Sequence, residues 1–416
     1  MQSVTTLQGL RPQRKASGLW TMARFLCLLF GSTLCFGCHP AVQREAERPQ
    51  EALIRVQFPY PSFEDDMDFA SLATAIRENL EYLRRLEPDQ IFEYGPDRYT
   101  CRQITEGQED FLRLISTSPS VEAINRKLKK DYLLYRAAGR PAKPSVLFSG
   151  YYEPTYEASL KPDSTFRHPI YGKPEDLIKI DLSPFREEFK GKSIVARISG
   201  KRVLPYYTRK EIAQDKVLAG RKLELAWLKD SLDVAFLQIQ GSGRLRLPDG
   251  SILRVGYETG NGRPYQSVGR YMIEKGYLTR EETSMQSIRR YLTRHPEVKE
   301  DVLNQNPSYV FFRVVSGGPY GNINVPLTPG RSLALDNRLF PRGALCFVRT
   351  QKPVLNSREE ITGWTDFSRF VLHQDTGGAI RGAGRADLFW GADRYAETAA
   401  GHMKHEGDLY LLVKKP

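Results

Sequence analysis

Histidine and cysteine are scarce in this 416-residue chain, at 6 and 5 residues. Past residue 37 only Cys38, Cys101 and Cys346 remain, with no CxxC pair and no spacing that would hold zinc. No GxxxxGK[ST] loop occurs, and "GSGRLR" at 241–246 lacks the third glycine and the following helix of a dinucleotide loop. The longest apolar run, Phe25 to Gly37, is too short to cross a membrane as a helix. A Ser–His–Asp or Cys–His grouping is not evident beside the acidic motifs. These absences turn attention to carboxylates.

The first segment reads as a leader. "MARFLCLLFGSTLCFGC" carries Arg24, an apolar run and small residues ending at Cys38, as a signal peptide does. Residues 1–37 are therefore expected to be removed, with 1–21 an upstream start-site artefact if translation begins at Met22. Gly37-Cys38 looks like the end of a bacterial lipobox, although Cys35 stands where leucine is usual. Cys38 is the expected lipidation site. With His39 rather than aspartate after it, the sorting rule favours the periplasmic side of the outer membrane; a soluble periplasmic or secreted protein is the alternative. Residues 38–55 read as a polar tether.

The net charge is +12. Losing Arg11, Arg14, Lys15 and Arg24 with the leader leaves +8. A basic surface attracts polyanions, but export argues against nucleic acid and leaves anionic lipid or peptide-bearing cell-wall glycan. Cys101 and Cys346 either pair in an oxidising compartment or serve as small buried hydrophobes.

The texture beyond the tether is mainly β with a few framing helices. Residues 68–86 carry apolar positions at helical spacing, as do stretches near 106–117 and 281–304. "PSVLFSGYYEPTYEASL" reads as a strand entering a turn. "LDVAFLQIQGSGRLRLPDGSILRVGYETG" reads as a three-stranded meander. "SYVFFRVV", "GALCFVRT" and the segments near 367–375 and 408–414 read as further strands.

The stretch "HQDTGGAIRGAGRADLFWG", 373–391, holds Asp375 and Asp387. It lacks the ligands of an EF-hand. "DTG" also begins an aspartic-protease site, but that dyad needs a second DTG or DSG, and the chain has none. Alone, the stretch reads as turn chemistry.

Its companions change the reading. "FSGYYEP" (148–154), "YYTRKEI" (206–212), "NGRPYQSVGRYMIEKG" (261–276), "QNPSYVFFR" (305–313) and "VPLTPGRSLALDNRLFPRGAL" (325–345) occur in order. Together with 373–391 they make the chain resemble the MltA family of membrane-bound lytic murein transglycosylases. The last third also resembles the three-aspartate signature of a double-psi β-barrel, with Asp336, Asp375 and Asp387 at its acidic positions. The resemblance implies a double-psi barrel catalytic domain over 56–155 and 305–416, and a smaller β-barrel domain inserted over 156–304. It implies cleavage of the β-1,4 MurNAc–GlcNAc bond of peptidoglycan with 1,6-anhydro-MurNAc ends, without metal or organic cofactor. A non-catalytic, peptidoglycan-binding barrel lipoprotein is the alternative. Partners would be glycan strands, the outer membrane through the anchor, and cell-wall synthesis or division proteins.

By the same resemblance Asp387 is the general acid and then base. Asp375 either tunes it or braces the Gly377-Gly378 turn, and Asp336 is structural. One residue more separates Asp375 from Asp387 than in the shortest family version. Gly377 and Gly378 would let backbone amides approach the sugar. Tyr151, Tyr152 and Trp390 would stack on sugar or pack as core. Glu153 would contact sugar hydroxyls or sit in an exposed turn. Gln238 and Gln240, on one face of a strand, would line the groove or bond across strands. Asn261 and Tyr265 would contact glycan or hold their loop.

Overall fold

The computed structural model describes residues 45–416 except 58, 118 and 142. The leader, Cys38 and the first part of the tether lie outside the described residues. The tether's second part is structured: Pro49–Ala52 is a helical turn, and Leu53–Val56 is a strand paired antiparallel with Tyr132–Ala137. The polar composition before Leu53 hid this pairing, which is made by backbone groups.

Alternation sets the faces of the first barrel. In Arg385–Phe389, Ala386 and Leu388 are buried in the main core while Arg385 and Asp387 stay partly open. In Val146–Tyr151, Val146 and Phe148 enter the same core and Ser149 does not. Period-two patterning of this kind fixes which side chains face out.

Six strands close into a ring. Val146–Tyr151 runs parallel to Arg385–Phe389, which pairs with Ser332–Ala334. Ser332–Ala334 lies parallel to Ile361–Asp375, which pairs along its length with Leu345–Leu355. Leu345–Leu355 pairs with His405–Lys414, and His405–Lys414 returns to Val146–Tyr151. Tyr132–Ala137 and Leu53–Val56 extend the sheet outward from His405–Lys414.

Helices Phe69–Leu83 and Cys101–Ile115 cover this sheet with Leu72, Ile76, Leu80, Ile104 and Phe111. Each begins where a side chain caps it. Asp68 accepts from Ser71 N, and Thr100 with Gln103 forms a reciprocal capping box. Such caps contribute about 1 kcal/mol apiece. Cys101 and Cys346 are free, buried thiols in this core. Their Sγ atoms lie 3.4 Å from Leu83 O and 3.5 Å from Ala344 O, so both serve as small hydrophobes.

A second six-stranded sheet lies wholly within residues 155–314. Its order is Val310–Val314, Ile252–Gly260, Ser242–Arg246, Thr155–Ser159, Glu224–Leu228 and His168–Tyr171. A bridge from Gly172 to Phe312 brings its two outer strands together and curls it into another barrel. The first limb of the expected meander is a helix instead. Ser231–Gln240 is capped by Asp230, which accepts from Leu232 N, and stopped by Gly241 at φ 79°. Leu232, Val234, Ala235, Phe236, Leu237, Gln238 and Gln240 are all buried. A helix covered on nearly every side shows no 3.6-residue period, so its apolar run imitates a strand. No helix among the described residues is long and apolar enough to cross a membrane.

Candidate active site

The strand pairing assembles one row of side chains on the outside of the first barrel. Ala334 is the cross-strand partner of Asp375 on one side and of Asp387 on the other. Asp387 in turn partners Ser149. The row thus reads Asp375, Ala334, Asp387, Ser149. A bulge between Leu333 and Ala334 sets the first position. It lets Gln374 turn inward, where its Nε2 donates to Ala75 O and its Oε1 accepts from Ser332 Oγ. Asp375 is left facing out.

Asp387 is partly exposed but crowded by protein. Its Oδ1 accepts from Ser149 Oγ at 2.7 Å, and Oδ2 has no hydrogen-bond partner among the described residues. Burial pushes the carboxyl up to about 6, against the Ser149 hydroxyl and Arg385 guanidinium, with a further push from Asp375. Arg385 Nη2 donates to Ser149 Oγ at 3.1 Å, so the serine is oriented from its other side.

Asp375 is also raised to about 6, by burial, despite three donors. Tyr151 Oη donates to Oδ2 at 2.9 Å, while Asn322 N and Thr376 N donate to Oδ1 at 3.0 and 2.8 Å. Both of its oxygens are occupied. Thr376 Oγ1 beside it is buried without a partner among the described residues.

Asp336 is fully buried and away from this row. Burial would raise its carboxyl, but Arg338 and the Gly382 and Arg338 amides outweigh that and hold it below the usual range. It pins the 382 turn to its own loop, which is a structural task.

The aromatic residues depart from the stacking expectation. Tyr151 is buried among Leu327, Ala334 and Phe389, its ring 5.2 Å from Phe389. Tyr152 is buried too, its N–H donating to Gln240 Oε1. Trp390 is buried edge-on against Phe367 and Tyr395, with the Arg369 guanidinium 5.5 Å over its ring. All three are packing residues because their side chains face elements that arrive from far along the sequence.

Other expected contacts are corrected likewise. Glu153 is 3% exposed rather than in an open turn. Burial raises its carboxyl against the pull of Arg254, 4.0 Å away, and Arg244. Gln238 and Gln240 sit on the Ser231–Gln240 helix, so they do not share a strand face; both are buried. Asn261 donates to Tyr207 O and Pro307 O and accepts from Arg263 N and Tyr309 N, leaving nothing for a sugar. Tyr265 is partly exposed and reaches the loop after Asp375, where a Cβ on Gly378 would meet Tyr265 Cβ at 3.8 Å. Gly377 and Gly378 are not at positive φ. A Cβ on Gly378 would meet nothing closer than Tyr265, so open space rather than backbone strain marks that position.

Ser149 and Arg385 were missed in the sequence. Their signal lay in parity: each is two residues from another outward-facing position, Tyr151 and Asp387. The partnership of Ser149 with Asp387 needed the register of two strands 238 residues apart.

The row can hold a proton at Asp387 Oδ2, in a half-open site. No three His, Cys, Asp or Glu side chains converge as a metal-binding group among the described residues. Comparison with known proteins agrees with the two sheets. Residues 147–313 match the MltA specific insert domain, and residues 331–413 match the 3D domain. The chain is 31% identical over 277 residues to the membrane-bound lytic murein transglycosylase A of Vibrio cholerae, covering 66% of this chain and 67% of the relative. A membrane-bound lytic murein transglycosylase from Agrobacterium tumefaciens superposes with TM-score 0.71 at 31% identity, over 87% of this chain and 98% of that one. The fold extends to Escherichia coli MltA solved with chitohexaose, at TM-score 0.64 and 23% identity, over 90% of this chain and 98% of that one. With both of its domains matched and its whole architecture shared, the chain belongs to the MltA family of lytic murein transglycosylases.

Proposed function

We propose that this enzyme is a peptidoglycan lytic transglycosylase in which Asp387 alone carries the proton, first as acid and then as base. One observation supports Asp387 over its neighbours. It is the carboxyl of the row with an oxygen uncommitted among the described residues, whereas Asp375 and Asp336 spend both of theirs on protein donors. A general acid must be protonated near its working pH, and burial provides for that.

The reaction balances with one carboxyl. Asp387 gives its proton to the oxygen linking MurNAc C1 to GlcNAc as that C–O bond breaks. The C6 hydroxyl of the same MurNAc attacks C1, and the Asp387 carboxylate takes the hydroxyl proton. The products are a GlcNAc hydroxyl end and a 1,6-anhydro-MurNAc end, and no water is consumed. Glycosidases that use water need a second carboxylate. Here the nucleophile is tethered to its own target, and the high effective concentration replaces that group. Asp375 then acts by position and charge: it holds Tyr151 and the 322 and 376 amides, and its charge raises Asp387.

The proposed setting is a periplasmic enzyme held at the outer membrane by a lipid on Cys38; the leader-like sequence and relatives named as membrane-bound support it. Labelled palmitate that still enters a Cys38→Ala chain would sink the anchor.

Digestion of murein sacculi followed by mass spectrometry tests the chemistry. Anhydro ends are expected. Reducing, hydrated ends would mean a lysozyme-like hydrolase, and binding without fragments would mean a non-catalytic wall-binding module.

A further inference from the structure

We infer that a basic crevice at the end of the aspartate row binds carboxylate groups of the stem peptide carried by the glycan; this rests on peptidoglycan being the substrate. The crevice has a volume of about 500 Å³ and is lined by Ser267, Arg270, Glu274, Arg280 and Lys404 among others.

Its position comes from strand register. His405 is the antiparallel partner of Phe148. Lys404, one residue earlier, therefore stands beside Ser149, the next member of the row after Asp387. Two strand spacings place Lys404 about 10 Å from Asp387 along the row. The inserted domain reaches over both ends of this row. Tyr265 approaches Gly378 at the Asp375 end, and Lys404 Nζ donates to Arg280 O and Glu281 O at the other. The segment from 265 to 281 thus meets the first barrel near both ends of the row.

The crevice chemistry selects an anion. Three cations face one acid, Glu274. Arg270, Arg280 and Lys404 are exposed, and Lys404 gives two of its three ammonium donors to backbone carbonyls and none to a carboxylate among the described residues. None is paired with a carboxylate among the described residues. Like charges held together on two elements repel one another, and an anion between them relieves this. Guanidinium groups bind carboxylates through paired donors. A sugar hydroxyl offers no charge to match three cations. The stem peptide does: it hangs from the lactyl group of the MurNAc at the reacting row and carries free carboxylates within a short reach.

The test uses the full enzyme and two substrates: peptide-bearing glycan, and the same glycan stripped of peptide by an amidase, which keeps a lactyl carboxylate on each MurNAc. The variant Arg270→Gln/Arg280→Gln/Lys404→Gln changes exposed side chains, and its thermal unfolding checks that it folds. The ratio of kcat/KM for peptide-bearing to stripped glycan is expected to fall about tenfold, mainly through KM. Lys404→Arg with Arg280→Lys and Arg270→Lys is expected to keep the wild-type ratio. An unchanged ratio in the Gln variant overturns the proposal, as does an equal loss on both substrates, which would assign the crevice to the lactyl carboxylate or to the glycan at large. If wild-type enzyme cleaves neither substrate, it is the transglycosylase reading that has failed.

Discussion

Asp375 and Asp387 are both cross-strand partners of Ala334, one in parallel and one in antiparallel register. They therefore stand two strands apart, about 10 Å between Cα atoms, with Ala334 between them buried under Tyr151, Leu327 and Phe389. Ala334→Leu would add three carbons there and displace Tyr151, whose hydroxyl donates to Asp375. Turnover on sacculi is expected to drop at least about a hundredfold, with about 1–3 kcal/mol lost from stability through crowding against Tyr151 and Phe389. Near-normal turnover in a folded Ala334→Leu protein would show that the packing between the two aspartates does not bear on catalysis.

Asp387→Asn removes the proposed proton carrier while keeping an acceptor for Ser149. Turnover is expected to fall about 10²- to 10⁴-fold, the range for general acid–base groups. Stability should move the other way. The folded pKa of about 6 lies above the ordinary 3.8, so the folded protein binds the extra proton between those values and ionisation destabilises it as pH rises through 6. Asparagine lacks that cost. Denaturant unfolding at pH 7.5 is expected to show a gain of about 1–3 kcal/mol, because a tenfold change in proton affinity between the folded and unfolded chain is worth roughly 1.4 kcal/mol. The gain should vanish below about pH 4. A variant no more stable at pH 7.5 would contradict the buried, raised carboxyl.

The same value sets a pH profile. The acid form of Asp387 is depleted as pH rises past about 6, so kcat/KM on soluble glycan is expected to fall on that limb. Ser149→Ala deletes a donor that favours the ionised form. The limb should move to higher pH and the maximal rate decline about tenfold as the carboxyl loses its orientation. A downward shift would mean that Ser149 acts on a different group.

Trp390 separates packing from sugar binding. Trp390→Ala is expected to lose about 3–5 kcal/mol of stability. Gly150→Ala is expected to cost about 2–4 kcal/mol, because its Cβ would lie 2.6 Å from the Trp390 ring and 3.0 Å from Ala400 Cα. Trp390→Phe should keep KM near wild type when turnover is scaled to folded protein. A large rise in KM with unchanged stability would restore Trp390 as a sugar platform.

The sequence made some of this legible and hid the rest for physical reasons. Asp336, Asp375 and Asp387 were singled out by the family resemblance of their motifs, since the 373–391 stretch alone reads as turn chemistry. Of the long strands Leu345–Leu355 and Ile361–Asp375, the parts over 345–350 and 367–375 show in their β-branched and aromatic content. The Ser231–Gln240 helix was read as a strand because burial on nearly every side erases its period. Tyr151, Tyr152 and Trp390 looked like sugar platforms because an aromatic residue beside an acid carries no sign of what covers it. Ser149 was passed over because its partner lies on a strand 238 residues later. Local patterns tell which way a side chain points, and only the register tells what it meets.

The ring closure has a consequence for how the molecule comes into being. Val146–Tyr151 has both of its barrel neighbours, Arg385–Phe389 and His405–Lys414, in the last 32 residues of the chain. Contacts so distant in sequence charge their loop-closure entropy before they return any stabilisation, and they fold slowly. A chain truncated before residue 385 leaves that strand with two bare edges and the row without Asp387. If Asp387 carries the proton as proposed, a nascent chain gains the means to cut a cell wall only after residue 387 is made.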